Sequence, residues 1–191
     1  MPVAIPNAVA VKYQRLGKRV VGFGSHGVGF AAWDTAAAHL VAIKKQVATS
    51  DSAVRGMLLF QSTHVVLGNC YLVFPYLEAT LHDVWKRACG FLDWGLAYRH
   101  GGQVLEGIAH LHKCSVARRD LSRSSVLART RPSSVKVADV GMAVCAASTV
   151  LEKTVTTGRR RPPEVLLGAT TLPATQDKLD AWYCARVCGA R

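Results

Sequence analysis

The segment Gly22-Phe-Gly24-Ser-His-Gly27 constrains this chain more than any other, because glycines at that spacing let backbone N–H groups approach phosphate oxygens with no side chain in the way. The flanking residues decide what kind of fold it serves. Val20-Val21 precede the glycines, and Phe30-Ala-Ala-Trp33 and Leu40-Val-Ala-Ile43 follow, so β-patterned stretches lie on both sides of the turn. A dinucleotide-binding fold would run from its glycines into a helix; here a strand follows, which predicts an antiparallel β start instead. The glycine pattern alone serves a ligand-free hairpin equally well, so the rest of the chain must separate the two.

Downstream, Cys70-Tyr-Leu-Val-Phe74 is a short β-favouring run stopped by Pro75, and Leu81 to Trp85 opens a helix. Val104, Leu105, Ile108 and Leu111 recur at helical spacing across Gln103 to Lys113, and Val135-Lys-Val137 forms a brief strand. Half the residues are hydrophobic and only 19% are charged, which excludes intrinsic disorder and predicts a packed core. Lys and Arg outnumber Asp and Glu by 24 to 12; that excess attracts phosphate-rich or acidic partners but does not choose among them. The six cysteines show no C-x-x-C pair, so reduced, mostly buried thiols are expected and a zinc site is not. Residues 1–20 lack the apolar core of a secretion signal, and no run of about 18 apolar residues occurs, so a soluble protein of the nucleus or cytoplasm is expected, with no membrane partner.

Four further stretches carry chemistry. Val41-Ala42-Ile43-Lys44 ends a strand on a lysine shortly after the glycines. Arg118-Arg119-Asp120-Leu121-Ser-Arg-Ser-Ser125 carries an aspartate in a loop, and Asp139-Val140-Gly141 follows 19 residues after Asp120. Thr156-Thr157-Gly-Arg-Arg-Arg161-Pro162-Pro163-Glu164-Val-Leu-Leu-Gly168 precedes Asp180-Ala-Trp182.

In this order these motifs resemble the eukaryotic protein kinase domain, closest to the cyclin-dependent kinase group, and the resemblance covers Tyr13 to Trp182. It implies an α+β, two-lobed fold: an antiparallel β small lobe and hinge over about residues 13–77, and a mainly helical, C-terminally incomplete large lobe over 78–191. It implies ATP and Mg²⁺ as cofactors and a protein Ser or Thr as substrate. By the same resemblance Asp120 and Lys44 are catalytic, Asp120 orienting the substrate hydroxyl and Lys44 holding the α- and β-phosphates. Gly22, Phe23, Gly24 and Gly27 cover the phosphates, and Ala42, Phe74, Pro75, Leu77 and Leu127 line the adenine. In the hinge, adenine would bond the backbone carbonyl of Pro75 and both backbone groups of Leu77. Asp139 and Ser125 are the metal ligands so implied, and Asp51-Ser-Ala-Val-Arg55 resembles a worn cyclin-docking helix, making a cyclin-like or kinase partner the expected one.

The chain departs from the family at several of these positions. Gly56 falls where a glutamate would pair with Lys44, Ser125 replaces an asparagine, and Ser122 replaces a lysine that neutralises the transferring phosphate. Arg118 or Arg123 is the candidate substitute for that lysine's charge. Gly29 replaces a valine that packs on adenine, and Val140 a phenylalanine. Glu152 stands where the activating phosphothreonine is expected, with Arg119 as its receiver and Thr154 and Thr156 as alternative acceptors. Only 14 residues separate Gly56 from Tyr71, which predicts too little room for the remainder of the helix plus a full strand before the hinge strand, and so a small lobe shortened internally. The resemblance also implies further helices beyond Arg191 to cover apolar surface. Three readings follow: a protein kinase, a catalytically impaired pseudokinase that works by protein contact, and, least supported, a nucleic-acid surface built on Arg118-Arg119 and Arg159 to Arg161. The last lacks interleaved aromatics.

Overall fold

The computed structural model describes residues 6–24, 27–47, 61–90, 92–138, 143–145, 161–167 and 176–188. The chain divides into two compact units, Met1–Leu77 and Glu78–Arg191. In the first, β1 (Tyr13–Gly24), β2 (Gly27–Asp34), β3 (His39–Val47), β4 (Ser62–Val66) and β5 (Asn69–Pro75) form one antiparallel sheet in the order β1-β2-β3-β5-β4.

Alternation along the strands sorts the sheet into two faces. Phe30, Ala32, Val41, Ile43, Tyr71 and Val73 are buried together with Tyr13 and with Val9 of the short helix α1 (Asn7–Ala10), which closes that face. The β2–β3 turn is held by Asp34, whose carboxylate accepts the N–H groups of Ala36 and Ala37 at 3.0 Å each. These bonds, together with nearby Lys12, hold its carboxyl below the usual range. Of the helix remainder and full strand expected not to fit together ahead of the hinge strand, the strand is present: β4 is five residues long, and the tight turn at Leu67-Gly68, both with positive φ, returns it to β5, while residues 51–60 lie outside the described residues. A two-residue connection needs far less chain than a loop does.

The second unit is mainly helical among its described residues. It comprises β6 (Ala79–Thr80), α2 (Leu81–Arg87), α3 (Trp94–Lys113), β7 (Val116–Ala117), a single 3₁₀ turn (Arg123–Ser125), β8 (Val126–Arg129), β9 (Ser134–Val137), β10 (Val144–Cys145), α4 (Pro163–Leu166) and α5 (Gln176–Cys188). Helix α2 starts where predicted, on a reciprocal capping box in which Thr80 and Asp83 satisfy each other's backbone N–H groups. Helix α3 starts nine residues before the predicted Gln103, capped by Asp93, whose side chain accepts from Leu96 N–H. The glycines that hide this extension serve close packing: a Cβ on Gly101 would lie 3.5 Å from Cys188 Sγ, and one on Gly107 only 3.1 Å from Val137. His100, Val104, Ile108 and Leu111 form the buried side of α3. His100 Nε2 meets Ser133 Oγ at 2.9 Å, and burial pushes the imidazole pKa down.

Of the described cysteines, Cys70 and Cys184 are buried, but Cys89 and Cys114 are exposed, which corrects the expectation of mostly buried thiols. Both follow helix ends, where the chain turns through solvent. Burial pushes the Cys184 thiol up to about 12. No described helix is long and apolar enough to cross a membrane.

Candidate active site

The first unit gathers one group of predicted site residues on the sheet face opposite the Val9 and Tyr13 core. Gly22 pairs with Gly29, Gly29 with Lys44, and Lys44 with Leu72, making one row across four strands; Ala31, Ala42 and Phe74 make the next row on the same face. Ala42 and Lys44 are half-buried, whereas their neighbours Val41 and Ile43 on the other face are fully buried. Glycine and alanine in adjacent rows leave a flat floor, bordered by Phe74 and ending on a lysine, which suits a planar base followed by polyphosphate. Phe23 and Gly24 carry the hairpin backbone, opposite Val28 and Gly27. Pro75 ends β5 opposite Val41, and Leu77 is buried just beyond it.

Two glycines of the loop have different reasons to be glycine. At Gly27 φ is +129°, and a Cβ there would lie 2.1 Å from the Lys45 carbonyl oxygen, so the fold itself requires it. A Cβ at Gly22 meets no heavy atom within 4 Å. The protein does not need Gly22 to lack a side chain, and that open backbone fits the close approach of a phosphate.

The second unit builds the loop that carries Asp120. Asp180 of α5 is completely buried, and its carboxylate accepts the N–H of Arg118 through Oδ2 and of Arg119 through Oδ1, both at 2.7 Å. His112 of α3 contacts the same Oδ2 at 2.9 Å. Arg119 sits at φ +64°, a left-handed conformation that costs a bulky residue roughly 1–3 kcal/mol and persists only when its surroundings fix it. The paired bonds to Asp180 supply that constraint, and half-buried Asp120 follows directly. Leu127 lies in β8, between Thr80 of β6 and Lys136 of β9.

Ser125 is buried, and its hydroxyl is committed locally: it donates to the Ser122 carbonyl at 3.0 Å and accepts from Ser122 N–H at 2.9 Å. Ser122 Oγ accepts from Ser125 N–H in return, at 3.2 Å. This arrangement does not fit a metal ligand unless the turn opens. Arg118 is buried and its Nη2 donates to the Ala138 carbonyl at 3.2 Å. Arg123 donates from Nε to the Val187 carbonyl at 3.2 Å, with its guanidinium 4.9 Å from the Trp85 ring centre. Asp139, Val140, Gly141, Gly56, Asp51 to Arg55, Glu152, Thr154, Thr156, Arg159 and Arg160 lie outside the described residues.

Sequence reasoning matched Asp180 to a family position but missed its bonds, and missed His112 and Ala138 altogether. No local pattern reports a contact made some 60 residues away.

The family model described as the protein kinase domain matches residues 59–188. Among curated proteins the chain is similar to Cell division control protein 2 homolog 3 of Trypanosoma brucei brucei, 29% identical over 176 residues, covering 82% of this chain and 56% of that protein. It is also similar to Cyclin-dependent kinase-like 2 of Rattus norvegicus, 30% identical over 82% of this chain and 34% of the relative. Extracellular signal-regulated kinase 2 of Dictyostelium discoideum is 31% identical over 87% of this chain and 51% of its own length. The chain thus spans between about a third and just over half of these relatives.

Proposed function

Because the chain belongs to the protein kinase domain family, we propose that it binds ATP and transfers the γ-phosphate to a serine or threonine of a protein, in the manner of the cyclin-dependent-kinase-like proteins it resembles. The observation that carries the reading is the anchoring of the loop before Asp120. Two sequence motifs 60 residues apart are joined through a buried carboxylate, which holds a strained arginine backbone directly ahead of the proposed base. A loop with no positional task has no need of strain held in this way.

In this reading Asp120 orients the substrate hydroxyl and accepts its proton as the oxygen attacks phosphorus. Lys44 pairs with the α- and β-phosphates, and the open backbone at Gly22 lets the hairpin close over them. The Pro75 carbonyl and both backbone groups of Leu77 bond the adenine, over the floor formed by Ala42. Asp139 would hold Mg²⁺, which when bound neutralises phosphate charge. A cyclin-like protein is the proposed partner, through Asp51 to Arg55, and the nucleus or cytoplasm the proposed location.

A second reading, an impaired kinase that works by protein contact, is favoured by one observation: the Ser125 hydroxyl is satisfied within its own turn. One experiment separates the two. ATP at about 100 times its dissociation constant should add roughly 2.7 kcal/mol of stability, seen as a rise in melting temperature. A rise that requires Mg²⁺ and is lost in Lys44→Met supports the nucleotide site, and phosphate transfer lost in Asp120→Asn supports the enzyme. A folded chain with no response to ATP supports the contact module.

A further inference from the structure

Helix α3 buries one side against its own unit and carries a second apolar stripe that nothing covers. Trp94 is 84% exposed, Tyr98 86% and Leu105 54%, while His100, Val104, Ile108 and Leu111 form the buried side of the same helix. At about 100° per residue, Trp94, Leu105, Tyr98 and Ala109 fall within an arc of about 60°, so they make one continuous stripe. Gly102 lies beside its middle, and a Cβ there meets no heavy atom within 4 Å. A single exposed apolar side chain needs no explanation, but two aromatic rings and a leucine in one line mark an interaction surface.

The stripe complements itself in one orientation. Counted inward from its two ends, Trp94 corresponds to Ala109, Tyr98 to Leu105 and Gly101 to Gly102. A second α3 laid antiparallel across the first sets tryptophan over alanine at each end, tyrosine beside leucine further in, and glycine on glycine at the crossing, where the two backbones can approach closely. Arg99 and Glu106 stand together on one flank of the stripe, both exposed, and neither is ion-paired to a described residue. They lie two turns apart, about 10.5 Å along the axis, too far to pair within one helix. Antiparallel pairing brings like flanks together, so Arg99 faces the partner's Glu106 and Glu106 faces the partner's Arg99.

We propose that this stripe docks a second copy of the chain, in an antiparallel, two-fold α3–α3 pair centred near Gly102. The proposal does not depend on the phosphotransfer reading. A two-fold contact uses the same patch on both subunits, so sizes and charges must match about a single point, and those of this stripe do. One helix pair is a small interface, below the roughly 800 Å² per partner of standard complexes, so the dimer is reversible, with Trp94 and Tyr98 as its anchors.

Sedimentation velocity of the full chain between about 1 and 100 µM, the range suited to an interface of this size, tests the proposal. The unaltered chain should pass from monomer towards dimer as concentration rises. Tyr98→Arg should weaken association by about tenfold or more, since each substitution acts twice in a two-fold contact. Gly102→Leu should weaken it as well while leaving the melting temperature unchanged or higher, because position 102 opens onto free space and a glycine inside a helix is unfavourable. Charge reversal separates a two-fold pair from general stickiness. Arg99→Glu and Glu106→Arg should each weaken the dimer by about threefold or more, and the double variant should restore it. Non-specific association of a chain with formal charge +12 would instead strengthen in Arg99→Glu, which lowers the self-repulsion, and weaken in Glu106→Arg. A chain that stays monomeric to about 100 µM overturns the proposal and assigns the stripe to some other partner. Association that Tyr98→Arg leaves intact overturns it too, as does a double variant that associates no better than the single ones. If Tyr98→Arg does not fold, the charge reversals decide alone.

Discussion

Replacing Gly22 and Gly27 separately by alanine should move stability and nucleotide binding in opposite ways. At Gly27 the added carbon would stand 2.1 Å from the Lys45 carbonyl oxygen and 3.1 Å from its carbon, both backbone atoms, so the β1–β2 hairpin must shift away from β3. The positive φ adds roughly 1–3 kcal/mol for a non-glycine residue, and with the displaced strand the cost is about 3 kcal/mol. For a chain of 191 residues that lowers the melting temperature by roughly 6–12 °C, at about 2–4 °C per kcal/mol. At Gly22 the methyl group meets open space. The unfolded chain loses freedom while the folded one loses no contact, so stability should rise by about 0.4–1 kcal/mol. The same methyl group occupies the surface assigned to the phosphates, so the ATP-induced shift should shrink or vanish. Thermal denaturation of both variants, with and without ATP and Mg²⁺, measures all four quantities. Gly27→Ala melting with the unaltered chain would refute the hairpin geometry. Gly22→Ala with its full ATP shift would show that the open glycine serves no ligand.

Three other outcomes follow from the second unit. Asp180→Ala strands two buried N–H groups and should cost about 3 kcal/mol or more in urea denaturation, with Asp180→Asn intermediate because one acceptor survives. The His100 pKa is lowered from 6.5 by burial, so below about that pH the unfolded chain binds more protons than the folded one; stability should fall as pH drops through 6.5 towards the folded value. His100→Gln should flatten that slope in melting curves recorded between about pH 5 and 8, and an unchanged slope would assign it to other groups. Maleimide labelling followed by mass spectrometry should modify exposed Cys89 and Cys114 well before Cys184, whose thiol is pushed up to about 12; early labelling of Cys184 would mean that α5 opens readily.

Much of the first unit was legible because its determinants are local. Alternation in Phe30 to Asp34 and Leu40 to Lys45 sets which face is buried, and the glycines mark the hairpin between β1 and β2. The turn at Leu67-Gly68 escaped notice because a leucine with positive φ leaves no turn signature in sequence. In the second unit, motif order pointed to Asp120 and Asp180, but helix α3 was read short, since Gly95, Gly101 and Gly102 interrupt the apolar period that marks its later half. The local partners of Arg118, Arg123 and Ser125 were not legible for a different reason. Their side chains answer to the Ala138 carbonyl, the Trp85 ring and the Ser122 peptide, and no spacing rule encodes which of several reachable partners a long or small polar side chain will take.

The attachment of Arg118 and Arg119 to Asp180 also has a consequence in time. The loop holding Asp120 leaves the ribosome well before the carboxylate that fixes it, by 60 residues of chain. At about 5–20 residues per second that interval lasts roughly 3–12 s, far longer than helices and hairpins need to form. Throughout it the strained backbone at Arg119 lacks its bond to Asp180, so during synthesis the nascent chain carries its proposed base on a loop that gains this anchor only when α5 docks.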